Sequence, residues 1–192
     1  MKIGLFFGSF NPIHNGHLII ANHILNESDI DKVWLVVSPQ NPFKNADSLL
    51  NNYDRLHLAS KAIENDLRMK ASDIEFHLPK PSYTVTTLAY LKEKYPEHEF
   101  VIIIGSDSFQ NLFKWKNFEI IVNNYQLIIY ERPGFEISNN LGAKILVMTA
   151  PLLEISATYI RDLIKKNKSI KYLVPENIEE EIKTNRFYNQ NK

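Results

Sequence analysis

No cysteine occurs among the 192 residues. Disulfides, thiolate zinc sites, iron–sulfur clusters and cysteine nucleophiles are excluded at once. Neither sign of charge is in surplus: Lys plus Arg and Asp plus Glu number 22 each, for a formal net charge of zero. A protein built to grip duplex DNA or RNA carries a basic excess, so nucleic acid is not an expected partner. Any anion must be held by a few placed cations and by backbone amides. Long apolar runs are missing too. The opening run Ile3–Phe7 is too short for a signal-peptide core, and nothing later approaches roughly 18 uninterrupted apolar residues. No membrane association is expected, and the cytoplasm is the expected setting. Internal repeats, low-complexity tracts and a clear interdomain linker are also absent. What remains is an ordinary globular composition, 44% hydrophobic and 23% charged. It suits one domain over residues 1–188, ending in a small C-terminal helical extension and a polar tail at 189–192.

Short apolar runs at Ile3–Phe7, Val33–Val37, Phe100–Ile104, Gln126–Tyr130 and Lys144–Met148 predict buried strands, with a further strand expected at Ile74–Leu78. Helical spacing predicts helices over Asn15–Glu27, Tyr53–Asp66, Thr84–Lys94, Phe118–Val122, Ser156–Lys166 and Pro175–Phe187. In the second of these, Leu56, Ala59, Ile63 and Leu67 are expected to face inward. Strands alternating with helices predict an α/β fold, a Rossmann-like doubly wound parallel sheet with helices on both faces. Ligands of such sheets bind beyond the carboxyl ends of the strands. The loops at Gly8, Ser38, Gly105 and Tyr130 are therefore expected to converge on one crevice.

The segment Gly8-Ser9-Phe10-Asn11-Pro12-Ile13-His14-Asn15-Gly16-His17 joins a strand to a helix. Gly8 is expected to let backbone approach a ligand closely, and Pro12 stiffens the turn. A helix start offers unpaired amides and the positive end of a dipole, which suits polyphosphate. His14 and His17 lie three residues apart there, so both rings can face one anion. A zinc site using His14, His17 and His23 is the competing reading. His23 is rotated away from that face at about 100° per residue, and no carboxylate completes a ligand set.

The ten-residue string resembles the signature of the HxGH nucleotidylyltransferase superfamily, commonly G-[ST]-F-D-P-x-[HT]-x-G-H. Asn11 stands where Asp is usual, and Phe7 where a second glycine is frequent. Far along the chain, Ile155-Ser156-Ala157-Thr158-Tyr159-Ile160-Arg161 opens another helix. Taken alone it is an N-cap, Ser156 or Thr158, with a solvated arginine. Beside the first string it resembles the superfamily's I-S-[ST]-T-x-[IV]-R element, with Ala157 replacing a hydroxyl residue. Leu173-Val174-Pro175 resembles the closing L-V-P segment. The resemblance implies that His14, His17 and Arg161 contact the phosphates of ATP, with Gly8, Ser9, Phe10, Gly16, Ile155, Ser156 and Thr158 around the nucleotide.

The middle of the chain bears on the acceptor. Ser82-Tyr83-Thr84-Val85 with Thr87-Leu88, Ile104-Gly105-Ser106-Asp107 through Trp115, and Arg132-Pro133-Gly134 resemble the bacterial nicotinate-nucleotide adenylyltransferases. On residues alone, Trp115 is either a packing residue or a stacking platform, and Asp107 either a helix cap or a ribose ligand. The resemblance implies that Thr84 and Trp115 line a pyridine pocket and Arg132 serves the acceptor. It also implies that Gly105 and Asp107 meet the nucleotide and that Lys44 approaches phosphate. Phe43 departs from a frequent histidine beside that lysine.

The implied reaction is in-line attack by the 5′-phosphate of nicotinate mononucleotide on the α-phosphorus of ATP, with pyrophosphate leaving. A phosphate nucleophile is already anionic near neutral pH, so the chemistry needs alignment and charge neutralisation rather than a general base. Mg²⁺ is the expected cofactor, bridging phosphate oxygens with no dedicated protein ligand set. The alternatives are nicotinamide mononucleotide or phosphopantetheine as acceptor, or a non-catalytic nucleotide-binding regulator. The oligomeric state, a homo-oligomer included, is left open.

Overall fold

The computed structural model describes residues 1–39, 49–151 and 154–189. Six strands, β1 (Lys2–Gly8), β2 (Lys32–Val37), β3 (Met69–Ser72), β4 (Glu99–Gly105), β5 (Leu127–Tyr130) and β6 (Ile145–Met148), form one sheet. Every pairing is parallel, in the order β3-β2-β1-β4-β5-β6. The chain winds outward from β1 to β3, then returns to the other side of β1 to lay down β4, so its direction reverses between β1 and β4. The carboxyl ends at such a reversal diverge into a crevice. Register sets Phe6 beside Ile103, which brings Gly8 and Gly105 to the rim of that crevice.

The helices are α1 (Asn15–Glu27), α2 (Asn52–Ala62), α3 (Thr84–Lys94), α4 (Ser106–Phe109), α5 (Phe118–Asn124), α6 (Ala157–Lys165) and α7 (Glu176–Thr184). Side chains alternate across the strands, as the pleat demands. Val101 and Ile103 of β4 join one core with Ile20 and Ile24 of α1, Leu58 of α2, Ile160 of α6 and Ile178 of α7. Phe100, Ile102 and Ile104 enter the other, with Leu88 and Leu91 of α3 and Ile121 of α5. Each fully buried aliphatic contributes about 1.5–3 kcal/mol, and β4 is buried on both faces. The C-terminal helices belong to the first core. Lys61 Nζ of α2 lies 2.6 Å from Glu181 Oε1 of α7, and Asn177 Nδ2 donates to the Lys61 carbonyl at 2.8 Å.

Two expectations are corrected. Ile74–Leu78 is not a strand: Ile74–His77 forms a 3₁₀ turn, and the sheet edge beside β2 is taken by Met69–Ser72. Met, Lys, Ala and Ser are not strong strand formers, and pairing with β2 overrides their preference. In the second case α2 ends at Ala62 with Ile63 as its C-cap, so Leu67 lies beyond the helix and is 88% exposed. The inward face of α2 carries Arg55 and Leu58 beside the expected Ala59, while Leu56 packs against the core and Ile63 is buried at the helix end. Among the described residues no helix is long and apolar enough to cross a membrane.

Candidate active site

The first turn is built around aromatic packing. Phe10 is buried at 1% exposure with φ +44°, a backbone region that L-residues occupy at a cost. Its ring sets edges against Phe6, centroids 6.0 Å apart, and against His17 at 5.0 Å. Gly8 lines the crevice and has a packing role besides. A side chain there would strike the Phe10 ring, whose Cζ lies 2.9 Å from the position a Cβ would take. The missing side chain makes room for that ring, and the Phe10 side chain is a packing element.

His14 is the N-cap residue of α1. Its ring stacks on His17, centroids 3.7 Å apart at 28°. His17 N–H donates to the His14 carbonyl at 2.9 Å, and the His14 N–H donates to His17 Nδ1 at 3.3 Å. The two rings therefore form one unit at the start of the helix. Gly16 makes the arrangement possible, because a Cβ there would sit 3.1 Å from His14 Nδ1 and 3.8 Å from Ile155 Cβ. His14 is buried, and its Nδ1 has no hydrogen-bond partner. Burial, and after it the positive Arg132, depresses its pKa to about 4. At neutral pH His14 is thus a neutral imidazole in the free chain. Toward an anion it offers a hydrogen bond rather than a standing charge.

The last motif meets the first. Ser156 Oγ accepts from Tyr159 N–H at 3.1 Å and caps α6. Thr158, the other capping candidate, accepts from Arg161 Nη2 at 3.2 Å. Arg161 Nη1 donates to the Asn11 carbonyl at 2.7 Å, inside the first turn. Asn15 closes the ring through N–H to the Leu173 carbonyl at 2.9 Å and Nδ2 to the Tyr172 carbonyl at 2.7 Å. The starts of α1 and α6 therefore converge, and with them the positive ends of two helix dipoles.

Behind the crevice lies a cation that sequence reasoning missed. Arg55 is 1% exposed. Its Nη1 donates to the carbonyls of Ser9 (2.7 Å) and Ser38 (2.8 Å), Nη2 to Pro39 (3.0 Å) and Nε to Leu50 (2.9 Å). One guanidinium thus ties the first turn to the ends of β2 and the approach to α2. The available signal was a charge in helical register with Leu58, Ala59 and Ala62, which places it on the buried stripe.

Across Gly8 and Gly105 opens a cavity of about 460 Å³, lined among others by Thr84, Trp115, Tyr83, Ser82 and Glu75. Trp115 closes the 3₁₀ turn Leu112–Lys114 and Thr84 begins α3, so the two acceptor candidates face one space from different elements. Glu75 also escaped sequence reasoning, and nothing in its local pattern announces it. The carboxylate is buried, accepting from Ser82 Oγ and Thr87 Oγ1 at 2.9 Å each. Burial raises its pKa, opposed by those hydroxyls and by that of Ser38. Asp107 is not a cap. The capping position of α4 belongs to Gly105, and Asp107 Oδ1 instead lies 3.3 Å from Arg132 Nε. Arg132 in turn donates from Nη2 to Tyr130 Oη at 3.1 Å and from its backbone N–H to buried Ser106 Oγ at 2.9 Å. Lys44 lies outside the described residues. Among those described, no group of three or more His, Cys, Asp or Glu side chains is arranged to hold a metal ion.

Two converging helix starts abutting a half-apolar cavity at the reversal of a parallel sheet suit a nucleotidyl-transfer site. The family model described as cytidylyltransferase-like matches residues 5–163, and the chain belongs to that family. Several relatives carry one name. The probable nicotinate-nucleotide adenylyltransferase of Cytophaga hutchinsonii is 54% identical over 98% of both chains. That of Bacillus licheniformis is 37% identical over 97% of this chain and 98% of its own. Among solved structures, the Plasmodium falciparum nicotinic acid mononucleotide adenylyltransferase complexed with NaAD superimposes with a TM-score of 0.83 at 25% identity, covering 97% of each chain.

Proposed function

We propose that this chain transfers the adenylyl group of ATP to nicotinate mononucleotide, yielding nicotinate adenine dinucleotide and pyrophosphate. The observation that carries the reading is the Arg161–Asn11 bond, which joins two helix starts from opposite ends of the chain beside the cavity holding Thr84 and Trp115. His14, His17, Ser156, Thr158 and Arg161 would hold the triphosphate. Gly105 and Asp107 would meet the adenosine, and the pyridine ring would lie against Trp115. An oxygen of the acceptor phosphate attacks the α-phosphorus as the bond to the β-phosphate oxygen breaks, and both electrons of that bond leave with pyrophosphate. The attacking phosphate brings its own charge, so no side chain has to remove a proton. Protein groups align the two phosphates and neutralise the charge that grows on the leaving group. Mg²⁺ would be supplied with ATP and would help neutralise charge on the triphosphate. A cytoplasmic setting and substrates confined to small molecules complete the proposal.

The test supplies ATP and Mg²⁺ with nicotinate mononucleotide and with nicotinamide mononucleotide in separate reactions, following dinucleotide and pyrophosphate. Dinucleotide formed faster from the acid supports the reading. Pyrophosphate release without acceptor-dependent product overturns it.

A further inference from the structure

Nicotinate and nicotinamide mononucleotides have nearly the same shape. They differ at one pyridine substituent, a carboxylate in the first and a neutral carboxamide in the second. Stacking on Trp115 attracts both rings alike and cannot rank them. A site that prefers the acid by more than a few-fold needs a positive group or dedicated donors at that substituent. Among the described residues, the charged side chains of the cavity wall are Glu75, Lys114 and Lys116. Glu75 would work against an acidic acceptor, and its oxygens are occupied by hydroxyl hydrogens from Ser82 and Thr87. Lys114 has its ammonium engaged, donating to Asn111 Oδ1 at 2.8 Å beside the exposed Phe113.

Lys116 differs from both. Its ammonium lies 4.4 Å from the centroid of the Tyr83 ring, and Tyr83 lines the cavity next to Thr84. Lys116 follows Trp115 on one wall, whereas Tyr83 precedes α3 on the other. The contact therefore joins two segments that both line the cavity, with the cation resting on a ring rather than on a carboxylate among the described residues. A cation–π contact at an exposed site contributes only about 0.5–1 kcal/mol, less than a carboxylate in a half-enclosed cavity can offer. An arriving carboxylate can draw the ammonium off the ring at little cost, whereas a carboxamide cannot.

We propose that Lys116 is a specificity-determining residue, its ammonium favouring an acceptor that bears a pyridine carboxylate over the same acceptor bearing a carboxamide. The inference rests on the adenylyl-transfer reading and deepens it. The experiment measures kcat/KM for both mononucleotides with the wild type, Lys116→Met and Lys116→Arg. Methionine keeps the length and apolar stem but removes the charge, while arginine keeps the charge. In Lys116→Met the ratio of acid to amide kcat/KM should fall about tenfold, equivalent to about 1.4 kcal/mol, carried by a higher KM for the acid. Lys116→Arg should retain most of the preference. The wild-type ratio should shrink as NaCl rises, because the group is exposed and its field is screened. Equal weakening of both acceptors in Lys116→Met, or an unchanged ratio, would overturn the assignment while leaving the reaction standing. A wild type that makes dinucleotide from neither acceptor would instead remove the reading beneath it.

Discussion

Arg55 carries the most demanding consequence of this structure. A guanidinium at 1% exposure, with four carbonyls and no carboxylate on its donors among the described residues, is an unusual object. Replacing it with methionine keeps the apolar stem and strips four carbonyls of their donor. Charge-assisted bonds contribute about 1.5–3 kcal/mol each, while removing a buried charge returns several kcal/mol of desolvation. The net loss should be about 3 kcal/mol, and for a chain of this size about 2–4 °C of Tm accompanies each kcal/mol. Arg55→Met should therefore melt about 6–12 °C below the wild type. The loss should not be only one of stability. Because Ser9 and Ser38 sit at the crevice, the KM for ATP should rise by about tenfold or more, a displacement of the order of 1 Å being enough for that. Arg55→Lys cannot span the fork of carbonyls and should fall between the two. Thermal unfolding followed by circular dichroism, with steady-state kinetics at two temperatures below the transition, makes both measurements. A Tm within 2 °C of wild type together with an unaltered ATP KM would refute the reasoning, by showing that the carbonyls find water when the guanidinium is gone.

Three further perturbations test the site. His14 has a folded-state pKa near 4, below the ordinary 6.5; between those values the unfolded chain binds a proton that the folded chain refuses. Stability should therefore fall as pH drops from about 6.5 to about 4, by up to about 3 kcal/mol, and flatten below that. Urea titrations across the window should show a shallower slope in His14→Gln, and an identical slope would remove His14 as the cause. His17→Ala should fold normally yet lower kcat at least about a hundredfold, in line with the loss of one contact to developing charge; turnover near the wild-type value would contradict its placement on the phosphates. Trp115→Ala should raise the KM of the mononucleotide several-fold more than that of ATP, since base–aromatic stacking contributes about 1–3 kcal/mol. Equal rises in both would mark the tryptophan as packing.

Local patterns in the chain were enough to specify most of its elements. The apolar runs of β1, β2, β4, β5 and β6, and the spacing of α1 and α3, depend on near neighbours, and each of those segments has the type read from it. The two nucleotide motifs are contiguous strings and were equally legible. Tertiary contacts decided the rest, because they join residues that no window contains. Pairing with β2 made a strand of Met69–Ser72. The ring of Phe10 adds a packing reason for Gly8 that no local pattern shows. The charge of Arg55 acquired meaning only when four carbonyls from two connections closed on it. Burial, and after it the charge of the distant Arg132, made His14 a neutral imidazole. Sequence sets backbone preference and chemical type through forces that act within a few residues. Protonation, orientation and the division of labour within a site depend on desolvation and on distant charges, and those exist only once the chain has folded.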